Sequence, residues 1–425
     1  MSVLSSGVSG GLKRDRVRAA NELSRRWAAA IGEAGGDDAE RAGTAYSGVG
    51  VWPLLGLLGA GADRQGQEEL GAAFGLDVGD VADAVRGIVD LFDRGKGLSL
   101  AMGLWRSTEL TIHEDWLGLL PPATRGVLSG DAKQDQRALD AWVDRHTSGR
   151  LTKMPCELSR DVLLLLASAL TVETQWSEPL KRSRGMGVGA WADTRLALLS
   201  RSTSPGDAWL ARTPGGPITV TVLEGVDDID VYLLLGEEGR AASSVLADGI
   251  AALETVRETV RDDAVPCSAW DRDGDEDGGG ARVGDVLVPG ATVSTVQSST
   301  GDPKAELECV AFSLSAQHDL LKLADVFGFE HVSSRDGQRF PGISDTPMYL
   351  GQARQDVVAE FTEEGFKAAA VTVMAAMAAA AFHRPPPRDA RLTTISYTRP
   401  HGFAAVHRDS GLVLVAGWVA KPDEA

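Results

Sequence analysis

The sequence predicts an α+β fold built on large, mainly antiparallel β-sheets, and three observations carry that reading. Helical periodicity dominates the first part of the chain, strand-like apolar runs dominate the later part, and no internal repeat is present. With 425 residues, 43% of them hydrophobic, the chain can bury a large core as one big domain or as two or three ordinary ones.

Taken in order, Arg18 to Ala34 and Leu54 to Phe74 carry helical periodicity, with Gly75 as the stop of the second. Ala138 to Arg145 reads as another amphipathic helix that ends in Thr147-Ser148-Gly149-Arg150. Val162 to Leu166 is a continuous apolar run continuing into Ala169 to Val172, which suits a central strand of a sizeable sheet. Pro217 to Leu223 and Ile229 to Leu235 form a hairpin about a turn containing Gly225, Asp227 and Asp228. Ala242 to Val260 is helical, Val286 to Val296 and Glu306 to Leu314 are strands, Asp319 to Phe327 is a helix and Val357 to Phe361 a strand. Arg391 to Tyr397, Gly402 to His407 and Leu412 to Val419 are strand-like, the last two joined by Arg408-Asp409-Ser410-Gly411.

One stretch resists this pattern. TEEGFKAAAVTVMAAMAAAA, Thr362 to Ala381, favours a helix by propensity but has no polar face, and Arg384-Pro385-Pro386-Pro387-Arg388 ends it. It is too short to cross a bilayer, which takes roughly 20 apolar residues. Residue by residue, it reads as a buried core helix.

A net charge of −18 disfavours nucleic acid and anionic membrane surfaces, whose phosphates the long-range field repels, and leaves a protein partner as the better expectation. Cys156, Cys267 and Cys309 show no metal-ligand or CxxC spacing, so reduced, structural thiols are expected. Met1 to Ala20 has only scattered apolar residues before Lys13, Arg14 and Arg16, which predicts no leader and a cytoplasmic location, unconventional export aside. Arginine-rich, Ala- and Gly-rich usage points to a high-GC bacterial source.

Catalytic motifs are weak. Gly7-Val8-Ser9-Gly10-Gly11 matches GxSxG, but a nucleophile elbow follows a strand and precedes a helix, whereas Ser9 sits in a Ser/Gly-rich terminus read as a flexible tail over residues 1–16. No SxxK occurs, and the seven histidines show no HExxH or paired metal spacing. Asp273, Asp275, Asp277 and Gly278 match the start of an EF-hand loop, yet its twelfth position is Gly284, so residues 271–284 are read as a solvated acidic, Gly-rich loop. No phosphate loop or dinucleotide fingerprint appears; no cofactor and no metal are expected, and the chain is not expected to be an enzyme.

Thr362-Glu363-Glu364-Gly365-Phe366-Lys367-Ala368-Ala369-Ala370 resembles the hinge of a serpin reactive-centre loop, where two acids and a glycine precede small residues. Five further blocks are collinear. AWVDRHTSGRL, within residues 139–151, resembles the helix crossing the main sheet, and LLLLASALTVETQWSEP, residues 163–179, the central strand and tryptophan turn with Trp176 and Pro179. Asp230 to Arg240, Phe312 to Val332 and Arg399 to Pro422 resemble a strand with an acidic Gly turn, the strand and helix before the loop, and the closing hairpin. The resemblance implies a single serpin domain over residues 1–425: three mainly antiparallel β-sheets, eight or nine helices and an exposed loop, with hinge and loop at residues 363–390.

It also implies a monomeric suicide-substrate inhibitor that forms a covalent complex with a serine or cysteine protease and then inserts the cleaved loop into the main sheet. Alternation along a strand turns Phe366, Ala368, Ala370, Thr372, Met374, Ala376 and Ala378 inward and Lys367 outward. The family's hinge spacing implies cleavage between Ala379 and Ala380 by an elastase-like or subtilisin-like protease, with Met377 and Phe382 as neighbouring alternatives; Pro385 makes Arg384 poor trypsin bait. Phe366 stands where a small residue is usual, and its ring is expected to slow insertion. In the sheet-opening region a Ser-Pro-Leu-Ser type helix start is replaced by Trp52-Pro53-Leu54-Leu55, an Asn by Ser168 and a His by Gln355, which implies a more apolar cluster. These departures keep a non-inhibitory binding, chaperone or storage protein as the alternative, with a Ser9 hydrolase more remote.

Overall fold

The apolar runs pair into three sheets, seen in a computed structural model that describes residues 12–35, 42–120, 125–159, 161–257, 264–273, 279–367 and 388–423. One six-stranded sheet has the order Phe312–Asp319, Arg354–Phe361, Gly365–Lys367, Leu164–Gln175, Leu98–Ser107, Arg125–Leu128. A seven-stranded sheet runs Asp271–Arg272, Gly279–Val283, Val286–Ser298, Arg388–Ser396, Lys304–Val310, Arg195–Thr203, Lys181–Met186. The third runs Thr44–Tyr46, Val413–Val419, His401–His407, Ile229–Leu235, Gly216–Glu224, Ala208–Thr213, Ala264–Pro266. Pairing is antiparallel except where Lys304–Val310 meets Arg388–Ser396 and Leu98–Ser107 meets Arg125–Leu128. Strands Ile229–Leu235, His401–His407 and Val413–Val419 are buried along their whole length, as expected of near-continuous apolar runs covered on both faces.

The six-stranded sheet has two covered faces. Val172 belongs to the main core, against which Leu164, Leu166 and Leu170 pack, whereas Ala167 and Ala169 join a separate cluster with Leu139 and Val143 of the helix Ala132–His146. Period-two alternation therefore sorts even-numbered residues of this strand toward the core and odd-numbered ones toward the crossing helix.

Eight α-helices occur among the described residues. The expected helix Leu54 to Phe74 is in fact two, Gly48–Gly61 and Arg64–Phe74, because Asp63 caps the second by accepting from the Gly66 amide. Gly75 closes it in the left-handed conformation. The expected strand Glu306 to Leu314 is also two: Lys304–Val310 and Phe312–Asp319 lie in different sheets, with the chain changing sheet at Ala311. Asp319 to Phe327 is not one helix but a strand end, a 3-10 turn Leu320–Leu323 and a single helical turn Ala324–Phe327.

Three boundary expectations change as well. Residues 14–16 belong to the helix Arg14–Gly35 rather than a tail, and the Arg16 side chain is buried, donating to the Asp83 carbonyl at 3.0 Å. Within the expected acidic loop, Asp271–Arg272 and Gly279–Val283 are paired strands, and Asp273 is held by Arg282 at 2.7 Å instead of standing free for a cation. Residues 388–390 begin a strand and are not loop. Among the described residues no group of three or more His, Cys, Asp or Glu could hold a metal, and no helix is long and apolar enough to cross a membrane. All three cysteines are free; Cys267 and Cys309 are buried, Cys156 is half-buried, and desolvation raises each thiol pKa.

His401 sits fully buried beside Trp191 and Tyr397, its Nδ1 donating to the Arg399 carbonyl at 2.8 Å and its Nε2 without a partner among the described residues. Burial lowers its pKa from 6.5 to about 4. Because the folded value lies below the unfolded one, the unfolded chain takes the proton first, and stability falls as pH drops from about 6.5 toward about 4. The loss from this one group is roughly 3 kcal/mol over that window. Denaturant unfolding measured across the window should show this slope in the wild type and a shallower one in His401→Gln; equal slopes would remove His401 as the cause.

Candidate functional site

The hinge segment closes a tight turn. The Thr362 amide donates to the Gly365 carbonyl at 2.9 Å, while Thr362 Oγ1 accepts from the Glu364 and Gly365 amides at 3.3 Å. The tryptophan turn grips it from outside: Trp176 donates its amide to the Glu364 carbonyl and its indole N–H to the Thr362 carbonyl, both at 2.9 Å. The Leu180 amide donates to the Glu363 carbonyl at 2.9 Å, and Arg182 pairs with the Glu363 carboxylate at 3.6 Å. Gly365 has to be glycine here, since a Cβ would stand 2.2 Å from the Thr174 carbonyl oxygen.

Beyond the turn, Gly365–Lys367 is already a strand. It pairs antiparallel with both neighbours, Phe366 lying opposite Thr174 on one side and Phe361 on the other, Lys367 opposite Glu173 and Glu360. Phe366 is completely buried, its ring 5.7 Å from Phe403 in a cluster that also links Phe312, Phe361 and Trp176. This corrects the expectation that the phenyl ring obstructs entry. It occupies its inward site before any cleavage and anchors the hinge there.

Below Lys367, the strands Leu164–Gln175 and Arg354–Phe361 run parallel to each other, and no ladder joins them among the described residues. Between them lies a groove lined by Ser168 to Thr171 on one side, Gln355 to Val358 on the other, and Arg150. Arg150 reaches it because Ser148 and Gly149 both adopt positive φ, turning the chain back after the crossing helix. Burial lowers the Arg150 pKa while Glu173 and Glu360 act to raise it, and burial raises that of Asp356.

Hydrogen bonds from Gln355, Ser168 and Ser47 tie the floor of the groove together. Helix Gly48–Gly61 starts at the N-cap Ser47, and Gln355 clasps that residue's backbone, accepting from its amide at 2.8 Å and donating to its carbonyl at 2.9 Å. Ser168 Oγ donates to the Gly50 carbonyl at 2.5 Å and Ser47 Oγ to the Leu414 carbonyl at 2.6 Å. Ser168 and Gln355 therefore meet, whereas Trp52 and Leu55 do not join them. Both are buried, Trp52 stacking on Phe74 and donating to its carbonyl at 2.8 Å. Ser47 went unnoticed in the sequence, although a serine immediately before a Gly- and Leu-rich helix is an N-cap signal.

A second missed group supports the tryptophan turn. Asp230, an acid inside the apolar run of Ile229–Leu235, is buried and takes a bidentate contact from Arg408, with Nη2 at 2.6 Å and Nε at 3.0 Å. Arg408 also donates to the Gly225 carbonyl at 2.6 Å, and Gly225 bridges to Trp176. Ser9, Ala368, Ala369, Ala370, Ala379 and Ala380 lie outside the described residues.

Replacing Phe366 by Thr should therefore loosen the hinge, reversing the expectation from sequence. Truncating a fully buried phenyl costs about 3 kcal/mol or more, so Phe366→Thr should lower Tm and speed proteolysis between Thr362 and Lys367. Unchanged Tm and cleavage rate would mean that the ring anchors nothing.

Residues 28–186 match the family model described as Serpin (serine protease inhibitor). No curated protein matches the sequence significantly. Among solved structures, human glycosylated kallistatin is 16% identical with a TM-score of 0.67, covering 96% of this chain and 98% of its own. A structure described as cleaved Serpin 42Da is 14% identical, with a TM-score of 0.70 and coverage of 97% and 100%. Human thyroxine-binding globulin complexed with thyroxine is 17% identical, with a TM-score of 0.66 and coverage of 98% and 100%. The N-terminal part of the chain thus matches the Serpin family model, and the fold of the whole is the serpin fold.

Proposed function

We propose that this serpin is a single-use inhibitor of a serine or cysteine protease, not an enzyme, acting as a monomer that traps the protease covalently when its loop is cut. One observation carries the reading: among the described residues the main sheet holds two facing strand edges without a ladder between them, joined at one end by the first residues of the loop. Edge N–H and C=O groups that lack a strand partner are a template for another strand.

The register supports the loop as that strand. Continuing the pairing of Gly365–Lys367 brings Ala368 beside Val172 and Ala359, Ala370 beside Leu170 and Val357, and Thr372 beside Ser168 and Gln355. These loop residues fall on the face of Val172, toward the main core, where Ala is accommodated and a charge is not. Thr372, the one hydroxyl in the inward series, meets the polar Ser168–Gln355 floor. Continuing further, Ala376 comes beside Leu164, where that strand begins, so the open edge accommodates residues 368–376 and the expected bond Ala379-Ala380 lies just past its end. Alanine at that bond favours an elastase-like or subtilisin-like target.

The non-inhibitory alternative, a binding protein such as thyroxine-binding globulin, differs in what a cut does. Cleavage near Ala379 should raise Tm strongly, and incubation with an elastase-like or subtilisin-like protease should give an SDS-resistant complex. A clean nick with neither result would favour the alternative. Parity offers a sharper test: Ala370→Asp should block insertion and turn the inhibitor into a substrate, raising the stoichiometry of inhibition about tenfold or more, whereas Ala369→Asp, on the opposite face, should be tolerated. Equal effects of the two would overturn the proposed register.

A further inference from the structure

Every residue of strand Ile229–Leu235 is buried, and all but Asp230 and Tyr232 are aliphatic. A carboxylate in that row carries a desolvation cost, and a buried ion pair is commonly no more stable than a well-packed apolar pair of similar volume. Stability alone therefore does not account for Asp230 and Arg408. Their geometry does. Asp230 Oδ1 accepts from the Gly225 amide at 3.3 Å, while Arg408 reaches both carboxylate oxygens and donates from Nη2 to the Gly225 carbonyl at 2.6 Å. The ion pair thus holds a single residue at its amide and its carbonyl together.

That residue is where the tryptophan turn is mounted. The Ser177 amide donates to the Glu224 carbonyl at 2.9 Å, Gly225 bridges to Trp176, and the Val226 amide donates to the Gln175 carbonyl at 2.8 Å. No side chain fits at position 225, where a Cβ would stand 2.1 Å from Thr174 Oγ1 and 2.3 Å from the Ile229 carbonyl oxygen. Thr174 is the residue opposite Phe366 in the hinge strand. On its other side Arg408 is fixed. Its amide donates to the Asp228 carbonyl at 2.7 Å, and its carbonyl accepts from Arg257 of the helix Ala242–Arg257. Asn21 of the helix Arg14–Gly35 brackets the same turn, donating to the Gly411 carbonyl and accepting from the Val413 amide, both at 2.8 Å.

We infer that Asp230 and Arg408 are positioning residues for the hinge: by clasping Gly225 they set where the tryptophan turn stands, and so where Thr362 to Lys367 enters the main sheet. Neither residue touches the hinge. The effect passes through Gly225 to Trp176, whose amide and indole N–H hold the Glu364 and Thr362 carbonyls. Charge suits this task because the fork of a guanidinium on a carboxylate fixes direction as well as distance, which an apolar contact of the same volume does not. The consequence for trapping rests on the inhibitory reading, whereas the placement of the hinge does not. In that reading a displaced hinge delays entry of the cut loop and gives the protease time to complete hydrolysis.

The test uses the full chain and the double variant Asp230→Leu with Arg408→Met, which replaces the ion pair by apolar groups. Its Tm should be held or raised, whereas amide hydrogen exchange over residues 175–180 and 362–367 should speed about tenfold or more. Arg408→Lys, which keeps the charge but loses the fork, should give an intermediate rate, and it carries the test should the double variant not fold. Exchange at the wild-type rate over those residues, or a rise spread through the whole sheet in step with a lowered Tm, would overturn the positioning role. With an elastase-like or subtilisin-like protease, the double variant should yield more cleaved inhibitor per covalent complex than the wild type. If the wild type forms no complex while the exchange difference stands, the inhibitory reading fails and the positioning role survives.

Discussion

The structure depends on a backbone hydrogen-bonding constraint: a strand edge must find a partner or face water. Among the described residues, Leu164–Gln175 and Arg354–Phe361 are bridged by Gly365–Lys367 at one end only, with no ladder between them below the hinge. Every other feature of the site is arranged about that incomplete seam. The tryptophan turn fixes where the bridge begins, the aromatic cluster around Phe366 fixes its register, and the crossing helix covers the face opposite the core.

Register follows from these anchors because side chains alternate along a strand. With Phe366 opposite Thr174 and Phe361, and Lys367 opposite Glu173 and Glu360, the faces of the hinge residues are determined. A slip of one residue would turn Lys367 toward the core and Phe366 away from it, so the phenyl ring protects the register as well as the hinge. The polar floor made by Ser47, Gln355 and Ser168 ties both open edges to the start of one helix. That common attachment couples separation of the strands to movement of the helix that carries Ser47.

Charge is distributed with similar economy. The ion pairs Asp230 with Arg408, and Arg240 with Asp248, brace turns at the strand ends of one seven-stranded sheet. The exposed surface is strongly acidic as a whole, with the cationic edge beside the hinge standing apart from it.

Much of this was legible in the sequence. The α+β class, the closing hairpin Gly402 to Val419 and the strand through Ala169 to Val172 follow from local periodicity, whereas the segment from Thr362 was read locally as a buried core helix and as a hinge only through the resemblance. Ser168, Gln355 and Trp176 had been singled out by the resemblance and not by local pattern. What local pattern could not decide was long-range pairing. The sheet change at Ala311, the helix break at Asp63 and the strands within residues 271–283 depend on partners distant in sequence. Trp52 and Leu55 were misplaced because a buried helix that is apolar all round does not reveal which face meets the strands. The aromatic residue at the hinge was visible in the sequence; that it is an anchor and not an obstacle was decided by Phe361, Phe403 and Thr174, which only the folded sheet brings around it.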